Sequence, residues 1–515
     1  MANEMELMSN NALSVVIIVL FFVLTAVPTI NSVSVGENGS QENPTSSVNI
    51  KHLWKQINED GFGNINNVAP RGIEIFEDCL VVGTTNFNKS QMSWEPRVFF
   101  ELLVGKWSGN RLSSEGCEIW CYDGENGKKL IGNNDGAIME SGFGNENNWE
   151  CSVLIEFNNN LYAGLWNSNE GCQIWRTGSL NEEWEMVVER GFGNENNWAA
   201  WSAEIFDEYL YIGTMNFKQG CEVYRTNDGV NWSAVVGGTS NITSGFRSKN
   251  NNVYSWSMCV HKSQLYVGTN GGELWKSSEG VAWKPVIAYE NLVEAKLHGA
   301  DFPRGFGGTV GRVGGIRRMI VFNDELYLSF LGGNFYLNII VPNLGKIITL
   351  SDKLSSIQRL IHINHGAELW KYNSSEDKWT RVIGGIIWRN EDGGRWTAYE
   401  RETRGGFGDP KNVYFWSMEI FDNILYVGTF HPNPINILLV KNCFLNWNIS
   451  FEIPMGQAQL WRFDGNDWEQ CIGDGFEDEY NVGMRAMKTY NNSLIAGVVN
   501  GQTGCEIWEY CVSEK

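Results

Sequence analysis

The chain has 515 residues, 43% hydrophobic and 19% charged, with 57 Gly, 23 Trp and 11 Pro. That length would hold two or three ordinary domains, but internal repetition overrides the estimate, and many Gly and Trp at modest charge suit short strands and tight turns. A formal net charge of −21 without a basic stripe repels nucleic acid and anionic lipid, which argues against nucleic-acid binding.

In chain order, the first feature is an apolar run from Ala12 to Val27, fading through Pro28 to Ile30. Its length falls between a signal core and a short membrane span, and residues 1–50 contain no Lys or Arg to set an orientation. Residues 1–33 therefore read as a cleaved signal peptide or a single uncleaved anchor, with small residues at Ser32 and Ser34 for cleavage. Either reading puts the bulk of the chain outside the cytoplasm, extracellular or on the cell surface. Residues 34–47 are polar and read as a flexible spacer. N-x-S/T triplets from Asn38 to Asn491 agree with export but are frequent in an Asn-rich chain.

From residue 48 onward the chain repeats. A G-F-G-N signature or a variant opens units at Gly61, Gly142, Gly191, Gly245, Gly305, Gly406 and Gly475. In the unit from Gly191 four short runs follow one another: Trp201–Phe206, Leu210–Thr214, Cys221–Arg225 and Trp232–Val236. Each is rich in aromatic and β-branched residues and bounded by Gly, Asn or Asp, as strands are. One four-stranded sheet cannot bury both faces, so the copies must stack, and radial stacking closes the ring. The last unit ends after its third strand, at Cys505 to Tyr510, while His52 to Ile57 matches a fourth strand. The expected fold is all-β: a seven-bladed β-propeller over 48–515 whose N-terminal strand completes the last blade. Cys117, Cys172, Cys221 and Cys505 share one place in the repeat with Gly272, Ala367 and Ala458, which suits a small buried packing position. The eleven Cys show no C-x-x-C metal signature.

The turns between third and fourth strands read T-N-D-G-V-N-W at Thr226–Trp232 and S-S-E-G-V-A-W at Ser277–Trp283, with weaker forms at Asn373–Trp379 and Asp464–Trp468. They resemble shortened Asp boxes of the sialidase-like (BNR) propellers. The resemblance covers two good turns and two poor ones. It implies the fold and no activity, since such turns recur on propellers of many functions.

Three insertions, at 93–114, 333–365 and 431–456, interrupt loops between second and third strands and so fall on one face. The segment 333–365 also reads as retained non-coding sequence, being apolar and unlike its surroundings. Aligning the units on the Leu that opens each second strand puts Arg71, Ser152, Trp201, Trp256, Arg317, Trp416 and Arg485 at one place. That place is the start of each innermost strand. Guanidinium forks pair with carboxylate, sulfate or phosphate, and indoles stack on sugars or cations. Arg71, Arg317, Arg485, Trp416, Trp201 and Trp256 are thus the candidate ligand-binding residues. The alternative is that the Arg residues brace carboxylates between blades, with Glu74, Glu204 and Glu419, three places further on, as partners. Those three Glu are also the weak catalytic candidates. No metal is expected, although the oxygens of Asn145–Asn148 and Asn194–Asn197 leave calcium as a weaker option.

The function expected first is non-enzymatic recognition of a glycan, an acidic ligand or a protein partner on the insertion-bearing face. A glycan-active hydrolase or lyase, with two of the Glu as acid and base, is one alternative, and a structural or adhesive surface component is the other. Membrane contact is expected only through residues 12–27.

Overall fold

The G-F turn is the element from which the architecture grows. The computed structural model describes residues 51–87, 114–133, 136–249, 252–288, 315–332, 366–384, 387–389, 397–399, 403, 405–409, 411–431 and 457–511. The apolar run 12–27, the spacer 34–47, the G-F-G-G turn at Gly305 and nearly all of the three insertions lie outside the described residues. In each described turn both Gly and Phe take a left-handed backbone, as at Gly142 (φ 60°) and Phe143 (φ 59°). A bulky residue with positive φ is costly and needs outside support.

Two devices supply it. The Phe ring stacks on an aromatic of the following sheet, Phe143 on Trp175 at 4.7 Å and Phe192 on Tyr224 at 4.1 Å. The turn carbonyl is caught by an Asn at the start of the next strand: Asn148 Nδ2 donates to Gly142 O at 2.9 Å and Asn197 Nδ2 to Gly191 O at 3.0 Å. The second proton of each amide goes to the third strand, Asn148 to Gln173 at 2.8 Å and Asn197 to Glu222 at 2.7 Å. Gly61, Gly245, Gly406 and Gly475 are held in the same way by Asn67, Asn252, Asn412 and Asn481.

Between turns the chain runs as antiparallel strands, and no α-helix occurs among the described residues. The strands expected in the unit from Gly191 are found at Ala199–Phe206, Tyr209–Met215, Val223–Thr226 and Ser233–Val236, paired in that order. Ser255–His261, Gln264–Thr269, Leu274–Ser277 and Lys284–Ile287 form a separate four-stranded sheet of the same order. Bridges such as Thr85↔Glu150 and Phe430↔Gly483 stitch other neighbours into sheets of twelve and eight strands.

The innermost strands position the site. They are β1 (Asn67–Phe76), β2 (Glu150–Phe157), β3 (Ala199–Phe206), β4 (Ser255–His261), β5 (Ile316–Phe322), β6 (Tyr414–Phe421) and β7 (Asn481–Tyr490). Each packs against the next, and β7 packs against β1. The approach is close because six of the seven second strands carry Gly where they meet the neighbouring sheet, the fifth carrying Ser329. A Cβ at Gly497 would lie 2.6 Å from Pro70, and one at Gly213 would lie 2.3 Å from Ser255 Oγ. Trp54–Gln56 pairs antiparallel with the last strand, Trp54↔Tyr510 and Gln56↔Trp508. Cys117, Cys172, Cys221, Cys505, Ala367 and Ala458 are all wholly buried.

Among the described residues no helix is long and apolar enough to cross a membrane. The turns that resemble Asp boxes owe their shape to local hydrogen bonds: Asp228 Oδ1 accepts from the N–H groups of Val230 and Asn231 and from the Thr226 hydroxyl.

Candidate functional site

Every inner strand carries a β-bulge at the aligned position, and β1 and β7 each carry a second one nearer their start. Pairing with the second strand skips Arg71 in β1, Ser152 in β2, Trp201 in β3, Trp256 in β4, Arg317 in β5, Trp416 in β6 and Arg485 in β7. A bulge adds a residue without a partner and turns its side chain out of the pleat. All seven bulge residues line one central cavity of about 510 Å³. A second ring three places on, Glu74, Ile155, Glu204, Cys259, Ile320, Glu419 and Lys488, lines the same cavity.

The three aligned Arg converge. Arg485 Nη2 donates to Glu150 Oε2 at 2.9 Å, and Arg71 Nε stands 3.4 Å from Glu150 Oε1. Glu150, 1% exposed, also accepts from the hydroxyls of Thr85 and Ser152, both at 2.8 Å. Arg317 has no hydrogen bond or ion pair among the described residues and sits inside four aromatic rings. Its guanidinium carbon lies 5.8 Å from the Trp201 ring centre, 5.4 Å from Trp256, 6.0 Å from Tyr414 and 5.7 Å from Trp416. Arg485 lies 5.3 Å from Trp416 and Arg71 4.6 Å from Trp201.

One buried carboxylate therefore faces three guanidinium groups. Burial, then the charge of Arg485, pushes Arg317 down to about 9, and burial with Arg485 and Arg317 lowers Arg71 well below the usual arginine range. Burial works to raise Glu150, but Arg485 and Arg71 overcome it and hold the carboxyl below the usual range. The excess of positive charge is a local property of this ring, opposite in sign to the whole chain.

The ring below is acidic. Glu74 pairs with Lys488, and Glu419 accepts from the Thr489 hydroxyl at 3.2 Å. Burial raises Glu204 to about 7, against hydrogen bonding from Ile205 N and the charges of Arg318 and Lys488, and burial raises Glu419 as well. The alternative in which the Arg residues brace carboxylates between blades holds for Arg71 and Arg485, which share Glu150 of β2, but not for Arg317, and the braced carboxylate is none of Glu74, Glu204 and Glu419. Three places along a strand is a full layer deeper in the cavity, and Lys488, not an Arg, reaches Glu74. The partner of Arg71 and Arg485 is Glu150, which the sequence reading missed. Its signal was that Ala69, Ala199, Tyr254, Gly315, Tyr414 and Gly483 hold the same place elsewhere, so it is the one charged residue there.

The calcium option finds its oxygens engaged. Asn148 Oδ1 accepts from Asn167, and Asn197 Oδ1 accepts from Thr214 and Asn216. Those of Asn145 and Asn194 accept from the backbone of Asn147 and Asn196. Among the described residues no cluster of three His, Cys, Asp or Glu could hold a metal.

No protein-family model and no curated protein matches the sequence. Among solved structures, the chain is similar to YCF48 from Cyanidioschyzon merolae, at 9% identity and a TM-score of 0.43, covering 89% of this chain and 98% of that one. The WD40 β-propeller domain of Doa1 aligns at 9% identity and a TM-score of 0.42, over 90% and 98% of the two chains. The β-propeller domain of the trilobed protease from Pyrococcus furiosus aligns at 7% identity and a TM-score of 0.38, over 87% and 96%.

Proposed function

We propose that this chain is a seven-bladed β-propeller, closed by its N-terminal strand, that recognises a carboxylate-bearing ligand in its central cavity without turning it over. One observation carries the reading: the unpartnered polar atoms of the upper ring are all donors. Buried Arg485 Nε, Trp201 Nε1 and Trp416 Nε1 have no hydrogen-bond partner, Arg71 Nε has only the 3.4 Å ion pair with Glu150, and Arg317 has no acidic partner among the described residues. Orphaned buried donors cost free energy, and a ligand rich in acceptors removes that cost. A planar oxyanion matches both the donors and the charge, whereas a cation or an apolar group matches neither. Recognition is favoured over hydrolysis because Glu74 and Glu419 are already engaged by Lys488 and Thr489. The acidic second ring suits hydroxyl or amino groups further along the same ligand, as in an acidic sugar or the end of a peptide.

The test is calorimetric titration of acetate, glucuronate, sulfate and phosphate into the full chain. At least one carboxylate should bind in a single class of site. Arg317→Ala should weaken it by about 1.5–3 kcal/mol, the usual worth of a hydrogen bond to a charged group, and Arg317→Lys should recover only part. If no carboxylate binds, or if Arg317→Ala binds as the parent does, the reading is wrong.

A further inference from the structure

Five of the G-F turns set the edge of an indole against their Phe. Trp184 meets Phe143 at 5.6 Å, Trp232 meets Phe192 at 5.4 Å and Trp283 meets Phe246 at 5.6 Å. Trp468 meets Phe407 at 5.0 Å and Trp54 meets Phe476 at 5.4 Å, so that all five pairs of planes are inclined by 63° to 85°. Each Trp opens the outer strand or stands one residue before it, while the same Phe stacks on a third-strand aromatic. The result is a three-ring cluster, edge-to-face on one side and stacked on the other.

The turn at Gly61 lacks its indole. Phe62 stacks on Trp120 at 5.0 Å and 20°. Gly127, however, stands opposite Tyr122 in the register where Trp468 stands opposite Phe463. The backbone of Gly127 is not left-handed, and a Cβ built there meets nothing within 4 Å. A cavity of about 310 Å³ occupies the place, walled by Phe62, Trp120, Tyr122, Ile57, Leu80, Val82 and Ile507, with Asn58, Glu59 and Gly127 among its lining.

We propose that this cavity is a binding site for a small planar heteroaromatic molecule of the indole class. The protein itself specifies the shape, since it fills the equivalent place with an indole in five other sheets. Apolar cavities left by an omitted ring take up ligands of matching form. Here the ligand would complete the ring cluster against the edge of Phe62. Charge narrows the class further. Glu59 provides an acceptor for a ring N–H and repels a carboxylate, so neutral and cationic indoles are favoured over indole carboxylates. The site is separate from the central cavity and does not depend on the function proposed for it.

The probe is indole itself, titrated into the full chain by calorimetry and by thermal melting. A Kd of roughly 0.1–1 mM is expected for so few atoms, and near-saturating indole should raise Tm by about 1–2 °C. Indole-3-acetate should bind at least about tenfold more weakly. Gly127→Trp should fill the cavity from within, raising Tm without ligand and abolishing indole binding, while Gly127→Ala should bind as the parent does. Three results would overturn the proposal: no binding up to the solubility of indole, undiminished binding by Gly127→Trp, or a Gly127→Trp protein that melts below the parent.

Discussion

Arg71 and Arg485 share one buried counter-ion, Glu150. Replacing that carboxylate by a neutral amide leaves two buried guanidinium groups without a counter-ion, a change that typically costs about 3–5 kcal/mol. Glu150→Gln should therefore melt lower than the parent in dilute buffer. It should also bind anions more tightly and regain much of its Tm on addition of sulfate, as followed by melts at several sulfate concentrations. If sulfate stabilises the variant no more than the parent, the charge excess is not what the cavity offers. The two kinds of carboxyl here titrate with opposite signs. Glu150, held low, stabilises the fold above the unfolded carboxylate range and loses that contribution as pH falls through its native value. Glu204, raised from 4.5 to about 7, binds a proton in the fold that the unfolded chain releases, so its penalty grows from pH 4.5 to 7 and is complete above that. Glu204→Gln should consequently be more stable than the parent by about 3 kcal/mol at pH 8 and close to equal at pH 4, measured by denaturant melts. The three Arg were legible because they repeat at one place. Glu150 was not, because it occurs once and reaches across from β2 to side chains of β1 and β7, a contact no spacing within a single unit encodes.

At the scale of elements, the strand pattern was readable because aromatic and β-branched alternation is local. The expected strands of the third unit differ from the observed ones by at most two residues at any end. The bulges were not readable. A bulge is a mismatch between two strands, and its cause lies in how neighbouring sheets approach, as at Gly213 against Ser255. The pairing of Trp54–Gln56 with Glu506–Cys511 was legible, since HLWKQI has the pattern of an outer strand. Trp54 now carries that junction, packed on Phe476 at 5.4 Å and on Tyr510 at 5.2 Å. Trp54→Ala should cost about 3–5 kcal/mol in denaturant melts, as large aromatic truncations in a core do. Deleting Lys51–Asn58 should cost more still. A deletion that left the midpoint unchanged would mean that the ring does not rely on this strand.

For the whole molecule, the chain's charge of −21 contrasts with the positive upper ring of the cavity. Distant carboxylates repel an approaching anion, whereas the three Arg act at contact. Salt screens the long-range part first, at a Debye length of about 10 Å in 0.1 M salt. Association of an anionic ligand should therefore speed up as an inert salt rises from about 0.01 to 0.1 M, by stopped-flow measurement, and a slowing would point to attraction at long range. The compartment remains the expectation drawn from residues 12–27. Cell fractionation should find the folded part outside the cytoplasm, and full-length protein with an intact N-terminus in the soluble cytosol would contradict it.

The bulges have one further consequence. At the aligned position a single residue is left out of the pairing in six of the seven strands, and in β1 Arg71 is left out together with Gly72, which has no side chain to compete with it. The identity of that residue is decoupled from the scaffold, which already tolerates Ser152, Trp201 and Arg317 at the same address. The cavity is thus written in an alphabet of seven letters that backbone pairing does not fix, with Arg71 and Arg485 coupled through Glu150 and Arg317 coupled to the rings of Trp201, Trp256 and Trp416. A lineage of such proteins could change what it recognises by rewriting one letter at a time, and an engineer could do the same, leaving the turns, the stacked rings and the outer strands untouched.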